Sequence, residues 1–158
     1  MSTPKSVTKI NKDGVTYTSE VDKAEYYIYE LTRAALRDTG KFIKREFRTR
    51  FYGEFRRITG KAGKVTYGKV YSGKSTTAPR LEIGLPHSKA GKTVEGFYAY
   101  FQEVGTEKLA KKQFLQKSVE ENVSKIREIQ SQYLSGLNKD DTQIEAMIDE
   151  KEIEIEDE

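Results

Sequence analysis

Apolar residues early in the chain recur at helical spacing: Val21, Ala24, Ile28, Leu31 and Ala35 stand three or four apart, and Phe42, Ile43, Phe47 and Phe51 carry the stripe on. This period predicts one long helix with an apolar face. Ser19 is a candidate N-cap and Gly53 a candidate stop. Gly40, inside the pattern, costs up to about 1 kcal/mol relative to alanine and marks a candidate bend. The helical period returns at Phe114 and runs through Leu115, Val119, Val123, Ile126, Ile129, Tyr133 and Leu137. It predicts a second helix ending near Gly136.

Between the two helices the pattern changes. Residues 64–71 hold Val65, Tyr67 and Val70, residues 80–85 alternate Leu81, Ile83 and Leu85, and residues 93–104 are aromatic on both faces. Gly73, Ser75, Pro79, Gly84, Pro86 and Gly91 punctuate them, as hairpin loops require. The simplest reading is an antiparallel meander. The predicted fold class is therefore α+β: a long N-terminal helix, an antiparallel β-meander of three to four strands, and a C-terminal helix packed on the sheet.

Three segments follow from this. Residues 1–19 form a polar N-terminal arm, with a turn signal at Asn11-Lys-Asp-Gly14 and an alternating stretch at Val15-Thr-Tyr17 that suits a strand. Residues 20–139 form a single α+β domain. Residues 140–158 form an acidic tail, expected to be disordered because its charge density leaves too little apolar area to offset the entropy of ordering. Residues 140–148 can form a short amphipathic turn or two, and Ile144, Met147 and Ile148 are the candidate anchors should the tail dock.

Charge sharpens this division. The net charge of +3 is the sum of two unlike parts, since ten acidic residues and one lysine from Asp140 onward make −9 and leave +12 for residues 1–139. Such a body can meet nucleic acid, an acidic protein surface or its own tail. The basic residues concentrate at Lys41, Lys44, Arg45, Arg48, Arg50, Arg56, Arg57, Lys61 and Lys64. Of these Lys41, Lys44, Arg45 and Arg48 share one stripe of the first helix. Two readings fit. Phe42, Phe47, Phe51 and Tyr52 interleave with the stripe and offer stacking faces to a nucleic acid, or the cations are the solvated side of an amphipathic helix whose buried side is aromatic.

Little in the chain suggests chemistry. There is no cysteine, hence no disulfide, thiolate metal site or sulfur nucleophile. His87, the one histidine, lies between Pro86 and Ser88 and is expected to be a solvated loop residue rather than a base. Gly60-Lys-Ala-Gly63-Lys64 lacks the spacing and the hydroxyl of a phosphate-binding loop. No enzyme activity, cofactor, metal or small-molecule ligand is expected. No run of about 18 apolar residues exists and the first residues lack a signal-peptide pattern, so a cytoplasmic life without membrane contact is expected.

One local motif points to a role. Tyr98-Ala-Tyr-Phe-Gln-Glu-Val-Gly-Thr106, followed after a basic loop by Gln113-Phe-Leu115 and a helix with Glu120, Glu121 and Asn122, resembles the head-tail joining or tail-completion family of long-tailed bacteriophages. In that family an aromatic strand ends in a Glu-aliphatic-Gly-Thr signature, and a loop leads into a Phe-Leu helix start. Glu103, Val104, Gly105, Thr106, Phe114 and Leu115 match, and the order of elements matches over residues 20–137. Family members usually carry proline just before the Phe-Leu pair and often proline-alanine shortly after it. Here those places hold Gln113, Lys117 and Ser118.

The resemblance implies a non-enzymatic assembly protein in the virion neck, made in the host cytoplasm, whose partners are other phage neck and tail proteins and further copies of itself in a ring on the tail end. The implied partner surface comprises Glu103, Gly105, Thr106, Lys108, Lys111, Lys112 and Phe114. The alternative is a small basic nucleic-acid-binding module using Lys41, Lys44, Arg45 and Arg48. Direct DNA contact is the less favoured of the two.

Overall fold

Helix α1, Val21–Glu54, is the axis on which the rest of the fold is built. The structure, a computed structural model, describes residues 7–12, 14–55, 66–71, 78–85, 88–89, 92–93 and 96–149. Within these the chain is α+β, with three short antiparallel ladders and a helical C-terminal half.

The unbroken apolar period explains why α1 is one continuous helix through Gly40. Its hydrogen-bonded ladder is not interrupted there. A Cβ on Gly40 would stand 3.2 Å from Leu81 Cδ1, so the glycine serves a close approach between helix and hairpin. Ser19 is a buried strand residue, and the N-cap position falls to Glu20 without a side-chain cap. The helix passes Gly53 and ends where Phe55 turns extended.

The expected meander is instead three separate two-stranded ladders. β1 (Val7–Lys12) pairs with β2 (Val15–Ser19) around a turn in which Gly14 has φ +80°. β3 (Tyr67–Tyr71) pairs with β4 (Arg80–Gly84), and β5 (Ser88–Lys89) with β6 (Lys92–Thr93). Only the β3–β4 hairpin packs substantially on α1. Val70 lies opposite Leu81 and Gly68 opposite Ile83. The alternating set read from the sequence thus faces the helix.

The aromatic segment expected as a strand is largely helix α2, Tyr98–Val104, entered through Gly96 at φ +80°. Helical spacing sets Phe97 against Phe101 with ring centroids 5.8 Å apart. Only Ala99 of α2 is fully buried, so the small residue lets the element sit close to the core.

The predicted second helix is broken into α3 (Phe114–Glu120) and α4 (Val123–Leu134), then a 3-10 turn at Ser135–Asn138. Side-chain hydrogen bonds compete with the backbone ladder at the break: Ser118 Oγ donates to the Phe114 carbonyl and Asn122 Nδ2 to that of Ser118. These helices pack chiefly on α1 rather than on the sheet.

A further correction concerns the tail. Asp141–Asp149 is helix α5, and its Ile144 is 4% exposed. The ordered body therefore extends past the expected boundary at residue 139. Residues 150–158 lie outside the described residues, as do His87 and the basic residues Arg56, Arg57, Lys61 and Lys64.

Two apolar clusters sit along α1. The first joins Tyr27, Leu31, Ala34 and Ala35 to Tyr133 and Ile144, with Ile129, Met147 and Ile148 against it. The second joins Phe47 and Phe51 to Leu85, Ala99 and Phe114. Phe51 is its centre, touching Phe47, Phe55 and Phe114 at centroid distances of 5.5, 4.9 and 5.5 Å. Tilted and edge-on rings supply the cohesion that a chain without tryptophan would otherwise lack.

Candidate partner-binding turn and basic groove

Residues 105–113 lead from α2 to α3, and each step has a physical cause. Gly105 has φ +80° and ψ 172°, a combination open almost only to glycine. Its amide donates to the Phe101 carbonyl at 2.8 Å and closes α2. A Cβ there would stand 3.0 Å from both the Leu109 carbonyl oxygen and the Lys111 nitrogen. Thr106 and Leu109 then exchange backbone hydrogen bonds of 2.8 and 3.2 Å around a tight turn at Glu107 and Lys108. The Lys112 amide returns to the Gln102 carbonyl at 2.8 Å.

The start of α3 is capped from a distance. Glu103 accepts the amides of Leu115 and Gln116 at 2.8 and 2.9 Å, one on each carboxylate oxygen. A helix leaves its first amides unpaired and carries partial positive charge at that end, so a carboxylate there satisfies both needs. This role of Glu103 could not be read from the sequence. A carboxylate before a turn is a common sight, and its two partners lie a loop away.

Gln113, just before α3, has φ 55° and ψ 45°, the one non-glycine residue with positive φ among those described. Proline, whose ring holds φ near −65°, cannot occupy this backbone.

The expected partner surface divides accordingly. Phe114 is 9% exposed and belongs to the core. Lys112 is turned inward: its ammonium pairs with Glu54 at the end of α1 and lies 5.5 and 5.9 Å from the ring centres of Phe55 and Phe114. The hydrogen bond from Lys112 holds the Glu54 carboxyl below its ordinary pKa. A second tie joins α1 to the helical half, where Arg50 meets Glu121 at 2.6 Å and lowers that carboxyl likewise. Glu103 and Gly105 build the turn. Thr106, Lys108 and Lys111 are exposed and are the residues of the set that face outward.

The basic stripe is only partly outward. Lys41, Arg45 and Arg48 are exposed, while Lys44 is half-buried with its stem against Gly68 of β3. Phe47 and Phe51 are core residues and cannot stack on a ligand. Phe42 is half-buried, with the Arg45 guanidinium 5.6 Å from its ring centre. Beside the stripe a groove of about 510 Å³ opens between α1, α4 and α5. Lys41, Arg45 and Lys125 line it together with Phe42, Ile129 and Met147. At its edge the Tyr133 hydroxyl donates to Asp38 at 2.6 Å.

Among the described residues no cluster of histidine, cysteine or carboxylate side chains is arranged to hold a metal ion, and no helix is long and apolar enough to cross a membrane. No protein-family model, curated protein or solved structure matches the chain.

Proposed function

We propose that this chain is a non-catalytic virion-assembly protein of a long-tailed phage, acting at the head-tail junction as a tail-completion or neck component. It works through contacts with other neck and tail proteins and with copies of itself in a ring on the tail end. The observation that carries the reading is the pair of hydrogen bonds from the Leu115 and Gln116 amides to Glu103. They tie together the two halves of the motif that resembles the family and give its spacing a physical reason. A protein whose task is geometric needs such a fixed turn, and this one holds Lys108 and Lys111 at the surface.

Exposed charges steer and select partners more than they hold a fold. The contact surface is therefore assigned to Thr106, Lys108 and Lys111, facing an acidic surface of a neighbour. In a phage carrying this gene, Lys108→Glu with Lys111→Glu is expected to give filled heads and loose tails in electron micrographs, with the melt of the purified protein unchanged. Normal infectious particles would remove this turn from the contact.

A nucleic-acid-binding role is the second reading, favoured by the exposure of Lys41, Arg45 and Arg48 along one side of α1. Affinity for duplex DNA at two salt concentrations separates the two. Neutralising Z phosphates makes log K fall with log salt at roughly −0.9Z, so a slope of several units favours the second reading and negligible binding favours the first.

A further inference from the structure

Helix α1 is 34 residues long, about 50 Å at 1.5 Å per residue, and its two ends carry unlike surfaces. Beside the C-terminal end stand α2 and the turn that follows it. The rings of Phe51 and Tyr98 are 6.1 Å apart between centres, and Glu54 pairs with Lys112. On α2, Phe97, Phe101 and Val104 share one stripe on the side away from the buried Ala99. Phe97 and Val104 are exposed and Phe101 is half-buried. Lys108 and Lys111 follow in the turn, both exposed and neither in an ion pair among the described residues. This end is apolar and basic.

Beside the N-terminal end the sign is reversed. Lys23 pairs with Asp141 and the Tyr27 hydroxyl reaches Glu145 at 3.5 Å, which sets the start of α5 against the start of α1. Residues 20–25 and 139–145 together hold six carboxylates and two lysines. Of the carboxylates Asp22, Glu25 and Asp140 are exposed and in no ion pair among the described residues. Apolar surface accompanies them here too. Leu31 of α1 meets the 3-10 turn at Gly136, where a Cβ would stand 3.7 Å from Leu31 Cδ1. Ile28, one turn before Leu31, is 47% exposed, and Leu134 and Leu137 on either side of Gly136 are 53% and 40% exposed.

Exposed apolar residues gathered within a polar rim mark interaction sites, and here two such patches carry opposite charge. One continuous helix holds them apart, so a chain cannot bring its own two ends together. A second copy can. We infer that copies of this chain associate head to tail: the α2 stripe and the turn of one copy dock on the Ile28–Leu137 patch of the next, with Lys108 and Lys111 meeting Asp22, Glu25 and Asp140. A contact between two unlike surfaces repeats from copy to copy until a ring closes. The inference rests on the proposed assembly role for that ring, and it names the acidic surface that the turn faces.

The test uses full-length protein, as an equal mixture of ¹⁵N-labelled and unlabelled chains treated with a carbodiimide, which joins a lysine amine to a carboxylate in contact with it. Peptide mass spectrometry is expected to find Lys108 or Lys111 joined to Asp22, Glu25 or Asp140 with unlike labels on the two peptides, and Lys23 joined to Asp141 with like labels. Products of the second kind without any of the first would overturn the proposal. Charge exchange supplies a second measurement, by sedimentation at low salt, where exposed charges are least screened. Lys108→Glu/Lys111→Glu and Asp22→Lys/Glu25→Lys should each lose the association of the parent, and a chain carrying all four changes should regain it. A fourfold variant as dissociated as the two double variants would overturn the proposal. The phage separates this contact from the assembly role. If Lys108→Glu/Lys111→Glu leaves heads and tails apart while no unlike-label product forms, the assembly role stands and the self-contact falls. Normal infectious particles would remove the assembly role, and the cross-links would then decide the self-contact alone.

Discussion

The carboxylate of Glu103 lies against the first turn of α3, accepting the amide of Leu115 at 2.8 Å and that of Gln116 at 2.9 Å. A side chain at the end of one helix thereby caps the next, and the loop between them is held at both ends. Glu103→Ala removes both acceptors and is expected to lower stability by about 1 to 2 kcal/mol, the usual cost of a lost cap. Glu103→Gln keeps an acceptor for one amide and should lose about half as much. Urea denaturation of the two variants checks the order. Equal midpoints for parent and Glu103→Ala would mean that the cap carries no stability.

Gly105 joins the helix that holds Glu103 to the turn that carries the lysines. Its φ of +80° with ψ of 172° lies outside the left-handed region that asparagine tolerates. Gly105→Asn should therefore be as damaging as Gly105→Ala, each costing about 1 to 3 kcal/mol. A thermal melt in which Asn proved clearly milder than Ala would show that the backbone relaxes to a left-handed turn.

Gln113 is the opposite case, a side chain where glycine would be less strained. Gln113→Gly should be neutral or stabilise by up to about 1 kcal/mol, through relief of the positive φ offset by greater unfolded-state freedom. Gln113→Pro should destabilise by about 3 kcal/mol or more unless the loop rebuilds. Melting temperatures of both variants decide this.

The two helices of the sequence reading differ in how legible they were. α1 was plain because an apolar stripe continues along all 34 of its residues. The reason for Gly40 was not legible, because Leu81, which approaches it closely, comes from another element. Residues 93–104 carry aromatics at alternate and at helical spacings alike, so neither period dominates, and packing of Ala99 into the core decides for a helix. The cation of Lys112 was visible in the sequence, but its partner Glu54 is 58 residues away. Charge half concealed α5: Ile144, Met147 and Ile148 have helical spacing, enough for a short amphipathic turn, yet the surrounding carboxylates argued for disorder.

That hidden helix makes a direct prediction. Ile144 is 4% exposed against Tyr27, Leu31 and Tyr133, so loss of Asp141–Asp149 is expected to lower stability. Ile144→Ala should cost about 2 kcal/mol or more, limited by the docking energy of α5. Ile144→Asp should release the helix altogether. Proteolysis by subtilisin followed by mass spectrometry would register this as cleavage near residue 140, where the parent resists. A parent cut there equally fast would show that α5 does not dock.

The ties around α1 respond to pH in opposite directions. Glu54 and Glu121 have folded-state pKa values below their ordinary 4.5, through hydrogen bonds from Lys112 and Arg50. Their contribution is therefore complete above pH 4.5 and is lost as pH falls through the lower folded values. At the α1–α5 contact the shifts are upward. Tyr27 is raised above 10.0, first by burial and then by Asp141 and Glu145, and Lys23 above 10.5 by its hydrogen bond to Asp141. That contribution is complete below pH 10 and is lost as pH rises through the higher folded values. Urea midpoints should stay level with respect to these groups between pH 5 and 9, then fall on both sides. Glu54→Gln should flatten the acid arm and leave the alkaline one. Lys23→Met should remove the share of the alkaline arm that belongs to Lys23 and leave that of Tyr27, whose upward shift comes first from burial. If either variant altered the arm assigned to the other, the two contacts would not be independent, and the loss of α5 at high pH would have to begin elsewhere.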